Sequence, residues 1–181
     1  MLTATGSDPY AIALAESRHL DALSGIELAA AAQLAGHAPS SVLEGVTSRG
    51  VLDAAMTRGH LWLALLGDTP VGFAHVEPLT MDVPHLEEID VHPSHGRRGL
   101  GTRLVRAVFD WAAATGYRAI TLTTFRAVPW NMPWYRRLGF VELPAEAWSE
   151  ALRRQARRLG SPPARGPAAR WPARARAIRP R

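Results

Sequence analysis

The sequence predicts an α/β domain, and two observations carry that reading. Between residues 85 and 115, a short apolar run of Leu86, Ile89 and Val91, closed by Pro93, leads through a Gly/Arg-rich loop into a stretch where Leu104, Val108, Trp111 and Ala112 recur every three or four residues. A strand period and a helix period therefore meet at one loop. Upstream, Leu61 to Leu66 and Val71 to Val76 flank Gly67, Asp68, Thr69 and Pro70 and read as a β-hairpin. With 181 residues, 47% of them hydrophobic, one domain with a true core is expected.

The other elements follow in chain order. Residues 1–9 read as a mobile end and Tyr10 to Ala15 as a first strand. Ser17 suits the cap of a helix carrying Leu20, Leu23, Leu28 and Leu34; Ser24 to Glu27 has capping-box spacing, so the helix breaks or restarts there. Residues 36–50, rich in Gly, Ser and Pro, read as a loop before a short helix at about 51–58, and a turn is expected from Thr80 to Pro84. Beyond the central helix come a strand at Ala119–Thr124, a helix at Met132–Leu138, a strand at Phe140–Leu143 and a helix at Ala145–Leu159 with Trp148 and Leu152 on one side. Residues 160–173 read as irregular, and Ala173–Arg179 is the candidate for a last strand. The expected organisation is a domain over 10–159 and an Arg/Pro/Ala-rich basic tail over 160–181, without repeats.

Composition excludes several classes of function. There is no cysteine, hence no disulfide framework, thiol nucleophile or Cys-based zinc site. No signal peptide or membrane-length apolar run is visible, so a soluble, cytoplasmic protein that does not engage a membrane is expected. The net charge of +5 is unevenly distributed: residues 1–150 hold all 16 acids and carry −5, while residues 151–181 hold ten arginines and no acid. A basic tail can attract nucleic acid, but its one stacking aromatic is Trp171 and it contains no recognition motif, so nucleic-acid binding is the weaker reading. His92, His95 and His85 lack a Cys/His partner set or an H-E-x-x-H spacing, and no metal site is expected.

The loop at 96–101 carries the chemistry. A helix start leaves backbone N–H groups unpaired and partly positive; Gly99 and Gly101 let a ligand come close, and Arg97 and Arg98 add forked donors, so a phosphate-bearing ligand suits this point. The dinucleotide fingerprint fails because its third glycine position holds Leu104, and the P-loop fails because the chain has no lysine.

What remains, strand then Gly96, Arg97, Arg98, Gly99, Leu100, Gly101 then helix, resembles the acyl-CoA signature of the GNAT acyltransferase superfamily, [Arg/Gln]-x-x-Gly-x-[Gly/Ala]. Gly96 stands where the family usually has Arg or Gln, and Arg97 could replace that contact. The resemblance continues through Trp130 to Phe140, where Tyr135, Gly139 and Phe140 are similar to the family's Tyr-x-x-x-Gly-Phe ending. It implies a mixed sheet of six to seven strands, splayed at the cofactor cleft between the central strand and the 119–124 strand and flanked by helices. It further implies acetyl transfer from acetyl-CoA to a primary amine of a small molecule or peptide. The residues it implies for CoA are Ile89, Asp90 and Val91, the loop Gly96 to Gly101, Thr102 and, less firmly, Asn131, for which helix capping is the stronger reading.

An ammonium near pKa 10.4 must lose a proton before it attacks, and a departing thiolate near 8.5 gains one, so a base and an acid are sought. Strict alternation puts His85, Glu87, Ile89 and Val91 on one face of the central strand and Leu86, Glu88 and Asp90 on the other. Histone-type family members place their basic glutamate at the position of His85, and serotonin N-acetyltransferase has histidines at the positions of both His85 and Glu87. Glu87 and His85 are thus the leading bases, Glu88 a third if a bulge shifts the alternation. Tyr135 matches the family's general acid. Glu27, Trp62, Phe73, Trp130 and Trp134 are candidates for an acceptor pocket. A non-catalytic acyl-CoA-binding regulator on the same fold is the rival reading, and a homodimer stays open.

Overall fold

The computed structural model describes residues 8–38, 40–125, 128–158 and 168–172. The chain enters as strand β1 (Tyr10–Leu14), passes a 3-10 turn (Ser17–Ala22) into helix α1 (Leu23–Ala31), then a second 3-10 turn (Ala32–Leu34), α2 (Ser40–Leu43) and α3 (Arg49–Thr57). The hairpin β2 (Leu61–Leu66) and β3 (Thr69–Thr80) precedes the central strand β4 (Val83–Val91), which leads through the glycine loop to α4 (Leu100–Thr115). Then follow β5 (Ala119–Thr123), α5 (Asn131–Arg137), β6 (Val141–Leu143), a 3-10 turn (Ala145–Ala147), α6 (Glu150–Arg158) and β7 (Ala168–Pro172). All seven strands join one sheet in the order β1-β2-β3-β4-β5-β7-β6, antiparallel throughout except at β4 and β5.

Each face of this sheet has its own apolar layer. Leu104, Val105, Val108 and Ala112 recur along α4 at helical spacing and pack on Val76, Leu86 and Ile120. On the other side Leu20, Leu23 and Ile26 with Leu52 and Ala55 cover Leu61, Leu63 and Phe73. Phe73 is fully buried, and burial of such a side chain is worth about 1.5–3 kcal/mol. A smaller cluster of Trp148, Leu152 and Ala156 fixes α6 on Leu79 and Leu143. No helix among the described residues is long and apolar enough to cross a membrane.

Several element boundaries differ from expectation for local reasons. The first helix is entered from Glu16 rather than Ser17, because the Glu16 amide donates to His19 Nδ1, and the 3-10 turn becomes an α-helix at Leu23. Glu27 closes no capping box; its carboxylate accepts from the Thr47 amide and hydroxyl. Ser48 caps α3, so that helix begins two residues before the expected point.

The sheet's last strand lies at 168–172, inside the stretch expected to be irregular, while the expected strand at 173–179 falls outside the described residues. Its backbone pairs with β5 from Ala119↔Pro172 to Thr123↔Ala168 and with β6 from Val141↔Arg170 to Leu143↔Ala168. Only β7 connects β6 to the sheet. A chain ending at residue 159 should therefore lose its cooperative thermal transition or melt far below the full chain when followed by circular dichroism; an unchanged midpoint would show that the 160–181 segment is dispensable to the fold.

Candidate active site

Strands β4 and β5 hold together through two residue pairs alone, His85↔Thr121 and Leu86↔Leu122. At the same level the β3–β4 register slips, since His75 opposes Glu88 while Val76 opposes Leu86, leaving Glu87 as an extra residue. Such a bulge bends its strand and re-aims the side chains beyond it. Past it β4 parts from β5, and a cleft of about 280 Å³ opens between them, lined by β4 from Leu86 to Val91, by Thr123, Thr124 and Phe125, by α1, and by Trp130, Asn131, Trp134 and Tyr135.

The bulge reassigns the faces predicted by strict alternation. Leu86, expected on the face of Glu88 and Asp90, joins Ile89 and Val91 on the α4 side, while Glu88 and Asp90 oppose His75 and Phe73 on the side covered by α1. Glu88 lies in the cleft wall among Glu27, Glu87 and Asp90. Burial, then Glu27 and Glu87, push its carboxyl up to about 8, against the opposing pull of the Ile89 amide and of Asp90. Asp90 is raised well above its usual range by burial, Glu88 and Glu27. Glu27 is raised by burial, partly countered by its bonds to Thr47. Glu87, the first-choice base from the sequence, sits at the bulge and accepts a hydrogen bond from Gln155 Nε2 of α6.

His85 is not in this wall. It is fully buried, its Nδ1 lies 2.9 Å from Thr121 Oγ1, and burial lowers its pKa from 6.5 to about 4. An imidazole sealed in this way stays neutral and out of reach of a substrate, which corrects its candidacy as base. Tyr135 does line the cleft, 8% exposed and packed against Trp134 and Phe140. Burial, with Glu88 and Asp90 nearby, drives its phenol above the usual range, so the hydroxyl stays protonated. Asn131 does not cap α5; its amide donates to Thr124 Oγ1 at 2.9 Å within the cleft wall. Thr123 Oγ1 is buried there with no hydrogen-bond partner among the described residues. Of the candidate pocket residues, Glu27, Trp130 and Trp134 line the cleft, while Trp62 and Phe73 are core.

At the cleft's Val91 end lies the glycine loop. Gly99 takes φ 77° immediately before α4 and Arg97 φ 56°, a left-handed pair that turns the chain sharply into the helix. The Arg103 amide bonds to Gly99 oxygen, so the amides of Leu100, Gly101 and Thr102 precede the first intrahelical bond. Arg97 and Arg98 are exposed, with no ion pair to a described residue. A Cβ on Gly101 would lie 3.2 Å from the Trp134 ring, so glycine here lets α4 and α5 meet closely. His92 accepts from the Ser94 amide and His95 Nδ1 lies 2.9 Å from the Tyr10 hydroxyl, which gives both histidines structural partners. Among the described residues no three His, Asp or Glu side chains converge as a metal set.

Comparison with known proteins places this arrangement. The family model described as Acetyltransferase (GNAT) family matches residues 34–140. A mycothiol acetyltransferase of Rhodococcus erythropolis is 45% identical over 49 residues, covering 27% of this chain and only 16% of that protein. Among solved structures, the PaiA N-acetyltransferase of Thermoplasma acidophilum in complex with coenzyme A superposes with a TM-score of 0.71 at 14% identity, covering 90% of this chain and 98% of that one. The ribosomal-protein-S18-alanine N-acetyltransferase of Escherichia coli gives 0.66 at 16% identity over 95% and 99%. The N-acetylglutamate synthase of Neisseria gonorrhoeae, complexed with coenzyme A and N-acetyl-glutamate, gives 0.72 at 16% identity, over 91% of this chain but 35% of that one.

The burial of His85 has a measurable consequence. A histidine whose folded pKa lies below its unfolded value stabilises the fold fully above 6.5, and that contribution is lost as pH falls toward 4. His85→Gln, which weakens the Thr121 contact, should cost about 1–3 kcal/mol at neutral pH. In urea melts its deficit against the parent should shrink toward pH 4; a deficit independent of pH would mean that His85 titrates in the fold as it does in the unfolded chain.

Proposed function

The chain belongs to the GNAT acetyltransferase family, its residues 34–140 matching the family model, and from that premise we propose that it moves an acetyl group from acetyl-CoA to a primary amine, with Glu88 as the base and Tyr135 as the acid. The observation that carries this reading is a carboxylate near neutral pKa in the wall of a strand-splay cleft, beside a tyrosine held protonated.

The residues present fit the donor. Free amides at the start of α4 and the guanidinium groups of Arg97 and Arg98 suit the pyrophosphate. The β4 backbone from Ile89 to Val91, unpaired on the β5 side, and the unpartnered Thr123 hydroxyl suit the amides of the pantetheine arm. Asn131 stands beside the same arm through its bond to Thr124.

Chemistry then follows from the titration order. An alkylammonium near 10.4 delivers its proton more readily to a carboxylate at about 8 than to one at the ordinary 4.5, so Glu88 takes the amine's proton directly or through water. The free amine attacks the thioester carbon, and the oxyanion that forms faces backbone N–H of β4. Tyr135 donates its proton to the sulfur as the carbon–sulfur bond breaks. Glu87 enters as the residue holding α6 at the bulge, since Gln155 already uses its carboxylate. The family reading also carries the rival, a CoA-binding regulator without turnover; the carboxylate at about 8 favours the enzyme.

A thiol-release assay with acetyl-CoA against a panel of primary amines tests the reading. Glu88→Gln should lower kcat by roughly 100-fold or more and remove the acid limb near pH 8, with CoA affinity retained. Tyr135→Phe should slow thiolate departure without moving that limb. If Glu87→Gln produces the larger loss, the base is Glu87 and the bulge does not govern the face.

The donor loop is tested separately by calorimetry. Gly99→Val puts a β-branched residue at φ 77°, a strain of about 1–3 kcal/mol that the loop relieves by unfolding its left-handed turn. CoA binding should be lost while the thermal midpoint changes little; wild-type affinity would remove the loop from the donor site.

A further inference from the structure

The first strand and the glycine loop meet at one residue. Tyr10 opens β1, an edge strand of the sheet, and its hydroxyl lies 2.9 Å from Nδ1 of His95, 85 positions later in the chain, with the two rings edge to face at 5.8 Å. His95 closes the 3-10 turn Pro93–His95 and immediately precedes Gly96. The carbonyl oxygen of the same Tyr10 accepts from Arg103 Nη2 at 2.8 Å, and the Arg103 amide makes the bond to Gly99 oxygen that starts α4. One residue thus grips the loop at its entry and at its exit.

We propose that Tyr10 is a positioning residue for the donor: through its hydroxyl on His95 and its carbonyl on Arg103 it holds both ends of the glycine loop in the phosphate-receiving conformation before acetyl-CoA arrives. This rests on the reading of that loop as the pyrophosphate site. Tyr10 does not line the splay cleft, so it acts through His95 and Arg103 and not on the reacting atoms.

The loop's backbone calls for such a grip. Glycine gives up more freedom on being ordered than any other residue, and Gly99 is held at φ 77°; Arg97 beside it is held at φ 56°, which a side chain disfavours. If these residues were ordered only on binding, the cost would be subtracted from affinity, whereas a loop fixed beforehand keeps it. The grip is itself anchored. The Tyr10 ring packs against the core under α4, and its backbone pairs with Leu66 of β2. The Asp8 carboxylate accepts from the Tyr10 amide at 3.1 Å and from Arg103 Nη1, so one planar guanidinium spans the strand start and the helix start. On the far side the His95 amide bonds to His92 oxygen and the His92 amide to Val71 oxygen of β3.

Two substitutions isolate the hydroxyl grip. Tyr10→Phe keeps the ring, its packing and the carbonyl contact to Arg103; His95→Phe keeps a ring against Tyr10 and removes the acceptor. In calorimetry on the full-length protein each should raise the Kd for CoA about fivefold. The double variant should also be about fivefold weaker, and not about 25-fold, because both changes break the same bond. Hydrogen exchange followed by NMR in the free protein supplies a readout that a general loss of stability would not reproduce. In Tyr10→Phe the bonded amides of His95, Gly96 and Arg103 should exchange about fivefold faster, while those of Val108 to Trp111 in the later turns of α4 keep the parent's rates. Parental CoA affinity in Tyr10→Phe, losses that multiply in the double variant, or exchange quickened evenly along α4 would each overturn the proposal. Failure of the parent to bind CoA would instead overturn the acetyl-CoA reading itself.

Discussion

The shortness of the β4–β5 ladder is the constraint on which the rest of this protein depends. Two residue pairs hold the strands together before they part, and parting leaves the β4 backbone from Glu88 onward without β5 partners in the middle of a sheet. Unpaired backbone polar groups in an interior are costly unless something bonds them. A ligand with amides along its length can be that partner. The glycine loop at one end and the acidic wall at the other then become two ends of one path, because both are carried by the strand that was freed.

The freed strand carries an electrostatic conflict. Glu27, Glu87, Glu88 and Asp90 crowd one wall, with Glu88 pushed from 4.5 to about 8. A carboxyl whose folded pKa exceeds its unfolded value stabilises the fold below 4.5, and that contribution is lost as pH rises through about 8. At physiological pH the site is thus being driven toward a charge state the fold resists. Under the proposed function that resistance would make Glu88 a proton acceptor matched to an amine, giving instability and function one cause. An ammonium arriving beside these carboxylates would offset part of the conflict.

What the sequence revealed and what it hid divide along physical lines. The strand-loop-helix from His85 to Thr115 was legible because two periods meet there, and Gly99 stands at a left-handed φ that favours glycine. The faces of the central strand were misread because strict alternation assumes an unbroken ladder, while the bulge at Glu87 is set by how β3 and β4 fit together. His85 was misread for a related reason: its burial comes from layers contributed by distant segments. Strand β7 was hidden because Ala168 to Pro172 has no strand-like pattern of its own; its place follows from the open edges of β5 and β6, which need a partner. Glu27 was recognised as a residue of interest, but its partner Thr47, twenty positions away, was not foreseeable.

The two halves of the site are built from different materials, and this bears on how such a fold can keep its architecture at 14–16% identity to solved relatives. The glycine-loop half is made of backbone: a helix start, left-handed residues at 97 and 99, a strand freed on one edge. These need glycine at a few points and otherwise tolerate exchange. The groove beside Glu87 and Glu88 is walled instead by side chains of α3 and α6, which cover the sheet without building it. Helix α6 sits in the connection between β6 and β7, so its length and sequence can change while both strands keep their partners. A helix so placed, anchored by Trp148 and reaching Glu87 through Gln155, can vary in sequence without disturbing the strands that carry the splay cleft.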